Sequence, residues 1–184
     1  MPPRETLKRS RLSIFRRFRR NRKGSAAVEF ALIAPLFFAM LFAILETALV
    51  FFAGQTLETG VHDTARLVLT GQAKLSNLTQ TQFRDEVCNR VTSMFTCSQV
   101  YVEVQKQTNF AGVDLSVKPV DACAPFGTPA YGLGGPGDVM VVRAFYQWPM
   151  FVTGLGYYIG GVDGSGNKCN KRLLVSTAVF RNEP

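Results

Sequence analysis

From residue 30 to residue 45 the chain carries no charge, and its apolar character continues past Glu46 as far as Ala53. A helix over residues 30 to 53 would be about 36 Å long at about 1.5 Å per residue, enough to cross a hydrocarbon layer of about 30 Å. Such a segment constrains the fold first, because a membrane span also decides which compartment receives each end. Ten Arg and Lys residues precede it between positions 1 and 23, opposed by Glu5 alone. Basic clusters stay on the cytoplasmic side, so the N-terminus is expected inside and residues from about 55 onward outside.

The same cluster accounts for the net charge. The chain totals +8; the first 23 residues contribute +9 and the remainder −1. A docking face for nucleic acid needs cations on the folded surface, so the body is not expected to bind a polyanion. A cleaved secretory signal shares the basic-then-apolar pattern, but this apolar stretch exceeds the usual length of about 7 to 15 residues. Cleavage after Ala53 would also set Phe51 where a small residue is required. The segment is therefore expected to remain as an anchor. With 184 residues, 47% hydrophobic, the chain has room for one modest core and for no multi-domain enzyme.

All four cysteines, Cys88, Cys97, Cys123 and Cys169, lie beyond the apolar segment. An even number in an exported, oxidising compartment reads as two disulfides. Three pairings are open; the short spacing favours Cys88 with Cys97, leaving Cys123 with Cys169, and sequence alone does not decide. No Cys-x2-4-Cys knuckle is present, and His62 is the one histidine, so neither a zinc site nor any other metal or cofactor is expected.

Apolar residues recur at Leu57, Val61, Ala65 and Val68, extending the helix to about residue 70 along an amphipathic face, with Gly71 as its stop. Pro35 is a potential kink, and Gly54 and Gly60 each lower helix stability by about 1 kcal/mol relative to Ala. Leu78, Phe83, Val87, Val91, Met94 and Phe95 have helical spacing, predicting a second helix over residues 79 to 95. Thereafter Val100, Val102 and Val104 alternate with Tyr101, Glu103 and Gln105, and a shorter alternation runs through Val113, Leu115 and Val117. These read as strands with one wet face, followed by β-rich runs at 138 to 148 and 172 to 180. Gly- and Pro-rich loops separate them at 119 to 137 and 154 to 170. The expected architecture is α+β: a leader over 1–24, a membrane-spanning and extended helix over 25–70, and an exported domain over 71–184 with a second helix and about four mostly antiparallel strands.

Catalytic patterns are thin. His62 stands alone, and no Gly-x-Ser-x-Gly, Walker or His-x-x-x-His pattern occurs. The stretch from Asp163 to Asn167 has Lys168 where a calcium loop needs Gly, so it reads as a turn. Tyr131, Trp148, Tyr157 and Tyr158 lie in or beside the irregular segments and are candidates for an exposed patch, although a Trp after a β run is more often core.

One stretch carries more information: Lys23-Gly24-Ser25-Ala26-Ala27-Val28-Glu29-Phe30-Ala31-Leu32-Ile33-Ala34-Pro35. Glu29 interrupts the start of the apolar helix, where a carboxylate needs a partner or an interface. Gly-x-x-x-x-Glu at the junction of a basic leader and an apolar helix resembles the processing site of type IV pilin-like proteins. Together with the later Glu46, Ala65-Arg66 and the close at Phe180 to Pro184, it resembles the TadE-like family of tight-adherence pilus proteins. The resemblance implies a pilin-like fold, scission between Gly24 and Ser25 by a prepilin peptidase, and Glu29 as the helix carboxylate that meets a neighbouring subunit's amine. Ser25 replaces the aromatic of many type IV pilins, and Phe30 the tyrosine of major tight-adherence pilins. The chain's length, against the very short major subunits, implies a minor pilin or pseudopilin without catalytic activity. Its partners would be other pilin subunits, the peptidase, the membrane assembly platform and the lipid bilayer, in a bacterial inner membrane with the domain periplasmic. The alternative is an uncleaved, signal-anchored periplasmic binding or scaffolding domain.

Overall fold

The computed structural model describes residues 24–91, 94–113, 122–152 and 158–184. The basic leader before Gly24, most of the alternation at Val113, Leu115 and Val117, and Tyr157 lie outside the described residues. The elements are helix α1 (Ser25–Leu69), a single turn α2 (Gln72–Leu75), helix α3 (Gln80–Val91), and strands β1 (Tyr101–Gln107), β2 (Val139–Pro149) and β3 (Lys171–Arg181). The strands form one antiparallel sheet in the order β1-β2-β3, so the fold is α+β and pilin-like.

The chain divides into two compact units, with the boundary between Phe42 and Ala43. The first contains the N-terminal part of α1, where Val28, Phe30, Leu32, Ile33 and Leu36 all project freely. Pro35 does not end the helix. The second unit contains the rest of α1 and everything that follows. Here one face of α1 is buried through Glu46, Ala53, Leu57, Val61, Ala65 and Val68. This face packs in one core with Phe83, Val87 and Val91 of α3 and with Val102, Val104, Met140, Val142, Ala144, Leu174 and Ala178 of the sheet. The spacing of four, four and three along the helix is what aligns these residues on one side.

β2 runs antiparallel to α1. Its first residue pairs with Arg181, and nearby the Glu183 amide donates to the Leu69 carbonyl at 2.9 Å. Just beyond its last residue, the Phe151 and Val152 amides reach Glu46. The lengths agree: 11 strand residues extend about 36 Å, and the helix from Glu46 to Leu69 rises about 35 Å.

Two glycines have definite roles. Gly71, at φ 73°, donates to Val68 and turns the chain out of α1 in the left-handed conformation that glycine adopts most readily. Gly60 lies where α1 meets α3: a Cβ there would come within 2.6 Å of Val91 Cγ1, so its cost in helix propensity is offset by close helix packing.

Three expectations are corrected. The second helix closes at Val91; Phe95 is buried nonetheless, because its ring meets Tyr146 at 4.8 Å and Trp148 at 5.8 Å. The second face of the sheet is wet only along β3, where Val175 is exposed and Thr177 half-buried; over β1 and β2 Glu103 and Arg143 are buried as an ion pair. The segment after residue 122 covers this face, with the Phe126 ring 5.1 Å from Tyr101 and the Ala124 carbonyl accepting from the Gln147 amide. The helix faces outward on all sides only as far as Leu45, since Glu46 and Ala53 are inside the domain.

Candidate functional site: the head of the long helix and its two carboxylates

Gly24 immediately precedes the first α-helical residue, Ser25, and an added Cβ at Gly24 would meet nothing within 4 Å. Residues 24 to 30 are all exposed. One turn on, Glu29 Oε1 accepts a hydrogen bond from the Ser25 hydroxyl at 2.9 Å. The i,i+4 spacing sets these two side chains on one helical edge. A free amine at Ser25 would give Glu29 an oppositely charged neighbour, on its own helix or on another.

Glu46 is a different kind of carboxylate. It is 4% exposed; Oε1 accepts from the Phe151 amide, and the Val152 amide lies 3.0 Å from Oε1 and 3.2 Å from Oε2. A buried carboxylate and two main-chain donors at the end of a sheet satisfy one another. In the sequence Glu46 is visible as one acid within an apolar run, but its partners are more than a hundred residues away and carry no motif.

The cysteines come together as Cys88 with Cys97 and Cys123 with Cys169, at Cα separations of 5.5 and 5.6 Å, within the range of disulfide geometry. The first pair fastens the end of α3 to the turn before β1. The second ties the segment covering the sheet to the approach to β3.

Among the described residues no group of three His, Cys, Asp or Glu is arranged to hold a metal, and His62 is exposed on α1. Asp163 accepts from the Ser165 and Asn167 amides and from the Asn167 side chain; these bonds, with Asn167 contributing most, hold its carboxyl below the ordinary range. That is a turn closed on itself. Trp148 belongs to the core, and the Tyr131 hydroxyl donates to the Leu78 carbonyl at 2.7 Å, with burial raising its pKa. The Tyr158 hydroxyl shares its one proton between the carbonyls of Gly161 and Cys169. The described tyrosines and Trp148 thus brace loops and core and form no common patch.

The apolar helix, Gly24 and Ser25 at its start and the carboxylates at Glu29 and Glu46 occupy one continuous segment. Residues 24–66 match the family model of TadE-like protein. The match begins at the glycine of the junction, takes in both carboxylates and Arg66, and stops three residues before the end of α1. It connects this helix with the proteins of tight-adherence (Tad) pili. No curated protein and no solved structure matches the chain. α1 is long and apolar enough to cross a membrane.

Proposed function

We propose that this chain is a minor pilin or pseudopilin that takes part in assembly of tight-adherence pili after a prepilin peptidase removes residues 1 to 24. The observation that carries this is the family match across Gly24, Glu29 and the apolar helix, together with the exposure of the junction. In the precursor, α1 spans the bacterial inner membrane with the basic leader in the cytoplasm and the domain in the periplasm. Residues 25 to 45, about 32 Å of helix, cover a hydrocarbon layer of about 30 Å before the domain begins to cover the helix at Glu46.

The mechanism is one of assembly and involves no chemistry by this chain. Hydrolysis of the Gly24-Ser25 bond removes the +9 leader and exposes a protonated amine at Ser25. In an apolar helix bundle that amine and the Glu29 carboxylate of a neighbouring subunit would lower one another's desolvation cost when they meet. The pairing would set the axial register of one helix against the next. The Ser25 hydroxyl, 2.9 Å from Glu29, holds the carboxylate in one rotamer until a neighbour arrives. The domain, fastened by its two cysteine pairs, presents the subunit to the peptidase, the assembly platform and other pilins.

Mass spectrometry of the membrane-extracted protein tests the proposal. A chain that begins at Ser25 supports it. A chain that begins at Met1 or Pro2, in cells with an active peptidase, refutes it and favours an uncleaved, signal-anchored scaffolding domain.

A further inference from the structure

Along α1, the side away from the domain and the side toward it change character at different levels. On the outer side, large apolar side chains stay exposed through Ile44, Leu49, Phe51 and Phe52; Thr47 among them returns its hydroxyl to the Ala43 carbonyl at 2.8 Å, and charged residues begin only at Glu58, after Gln55. On the inner side the domain already covers the helix at Glu46. Phe52 lies six residues, about 9 Å, beyond Glu46 along the axis. Whatever apolar medium surrounds the outer face up to Phe52 therefore also surrounds the domain at the level of Glu46. The part of the domain at that level is the turn at residues 150 to 152, which the Glu46 carboxylate holds by its amides.

We infer that this turn is submerged in the outer boundary of the bilayer, with the Phe151 ring in the zone between headgroups and acyl chains. The inference rests on α1 spanning the membrane. Three features of the turn fit that medium. Its projecting side chain is Phe151, 74% exposed, whose apolar surface gains by leaving water. Its main-chain donors are occupied: Phe151 and Val152 by Glu46, and Met150 by the Asn170 carbonyl at 2.9 Å. Non-helical backbone at membrane depth is tolerated only where its polar groups are satisfied within the protein. The arrangement is reciprocal, because the two amides spare Glu46 the cost of a bare carboxylate near lipid. Lys171 and Arg172, exposed at the start of β3 beside this turn, donate to the Gln147 side chain and the Ile159 carbonyl, which fixes two positive charges at this end of the domain, the sign that lipid phosphates attract. Phe151 thus acts as an interfacial foot of the domain, and Glu46 as its positioning residue.

The test uses the full-length chain in vesicles of phosphatidylethanolamine and phosphatidylglycerol, with or without brominated acyl chains. Phe151→Trp introduces an indole at the turn. The wild-type signal from Trp148 is subtracted, and a variant that also carries Trp148→Phe provides an independent background. Leu75→Trp, exposed and beyond the far end of α1, is the reference. Resistance of each variant to alkaline carbonate is measured first. The expected result is an integrated protein whose Phe151→Trp indole loses roughly half its emission to bromolipid, as suits a ring about 5–10 Å into the boundary, whereas the Leu75→Trp indole loses none. If the integrated protein has a Phe151→Trp indole quenched by aqueous iodide and not by bromolipid, the turn is in water and the inference is overturned. Shielding from both quenchers would mean that a second copy covers Phe151, which also overturns it. Extraction of the wild type by carbonate would instead remove the membrane span, and with it the foot.

Discussion

Glu46→Ala removes the acceptor for two main-chain donors and leaves the Met150 amide and its buried side chain to hold the turn at residues 150 to 152. Hydrogen bonds to a charged partner contribute about 1.5–3 kcal/mol each, and an orphaned donor costs about 1–3 kcal/mol. Both donors belong to residues that are not fully buried, since Phe151 is exposed and Val152 is half-buried, so water recovers part of the loss. The expected destabilisation is about 2–4 kcal/mol. Glu46→Gln keeps one acceptor oxygen of the same reach but no charge, and should lose about half as much. Denaturant unfolding of the detergent-solubilised full-length chain, followed by Trp148 fluorescence, ranks wild type above Glu46→Gln above Glu46→Ala. Amide exchange locates the effect: the Phe151 and Val152 amides should lose protection while those of β1 keep theirs. A Glu46→Ala variant within about 0.5 kcal/mol of wild type, the range of an inert surface substitution, with both amides still protected, would refute the role assigned to Glu46.

The cysteine pairs should differ in worth. In the chain-entropy model the Cys123–Cys169 bond, at a separation of 46 residues, contributes about 4 kcal/mol, and the Cys88–Cys97 bond, at a separation of 9, about 3 kcal/mol; double Cys→Ser variants compared by denaturant unfolding should fall in that order, and free thiols on both pairs after extraction from cells would remove the expectation. At Asp138 the Lys106 hydrogen bond, then the Gly135 amide, hold the carboxyl below the ordinary range. The stability this supplies is present above the unfolded-state value of about 3.9 and is lost as pH falls through the lower folded value, so Lys106→Met should shrink the acid-induced fall in the unfolding midpoint below about pH 4; an unchanged acid limb would contradict the pairing. Gly24→Leu should leave the leader attached, read as a larger mass on the extracted protein, and normal trimming of this variant would count against scission at that bond.

The helix, the three described strands and the buried face of α1 were legible because each rests on a local period: four, four and three for the helix, two for the strands. Val100 to Gln105 shows where a period misleads. Alternation marks Glu103 as solvent-facing, but a strand's own residues do not reveal a cover that arrives from 20 residues downstream, and Arg143 supplies the countercharge from the neighbouring strand. Phe95 is the converse case, placed in the core by ring contacts after its helix has ended. The head of α1 was legible for chemical reasons, since Glu29 and Glu46 are conspicuous in an apolar run and each demands a partner. Ser25 could be found at helical spacing from Glu29. The turn at 150 to 152 could not be found for Glu46, because its contribution is main-chain N–H, which every residue but proline carries. The 24-residue apolar run likewise concealed that the inner side of the helix enters protein at Glu46 while the outer side remains apolar for two further turns.

The most direct test of the central claim, that α1 crosses a bilayer with the domain outside, is alkaline carbonate extraction of cells producing the full-length chain, combined with protease treatment of their intact spheroplasts. The chain is expected to stay with the membrane pellet, and protease added outside to digest the domain. Recovery of the intact chain in the carbonate supernatant, or a domain that protease reaches only after the cells are lysed, would contradict it.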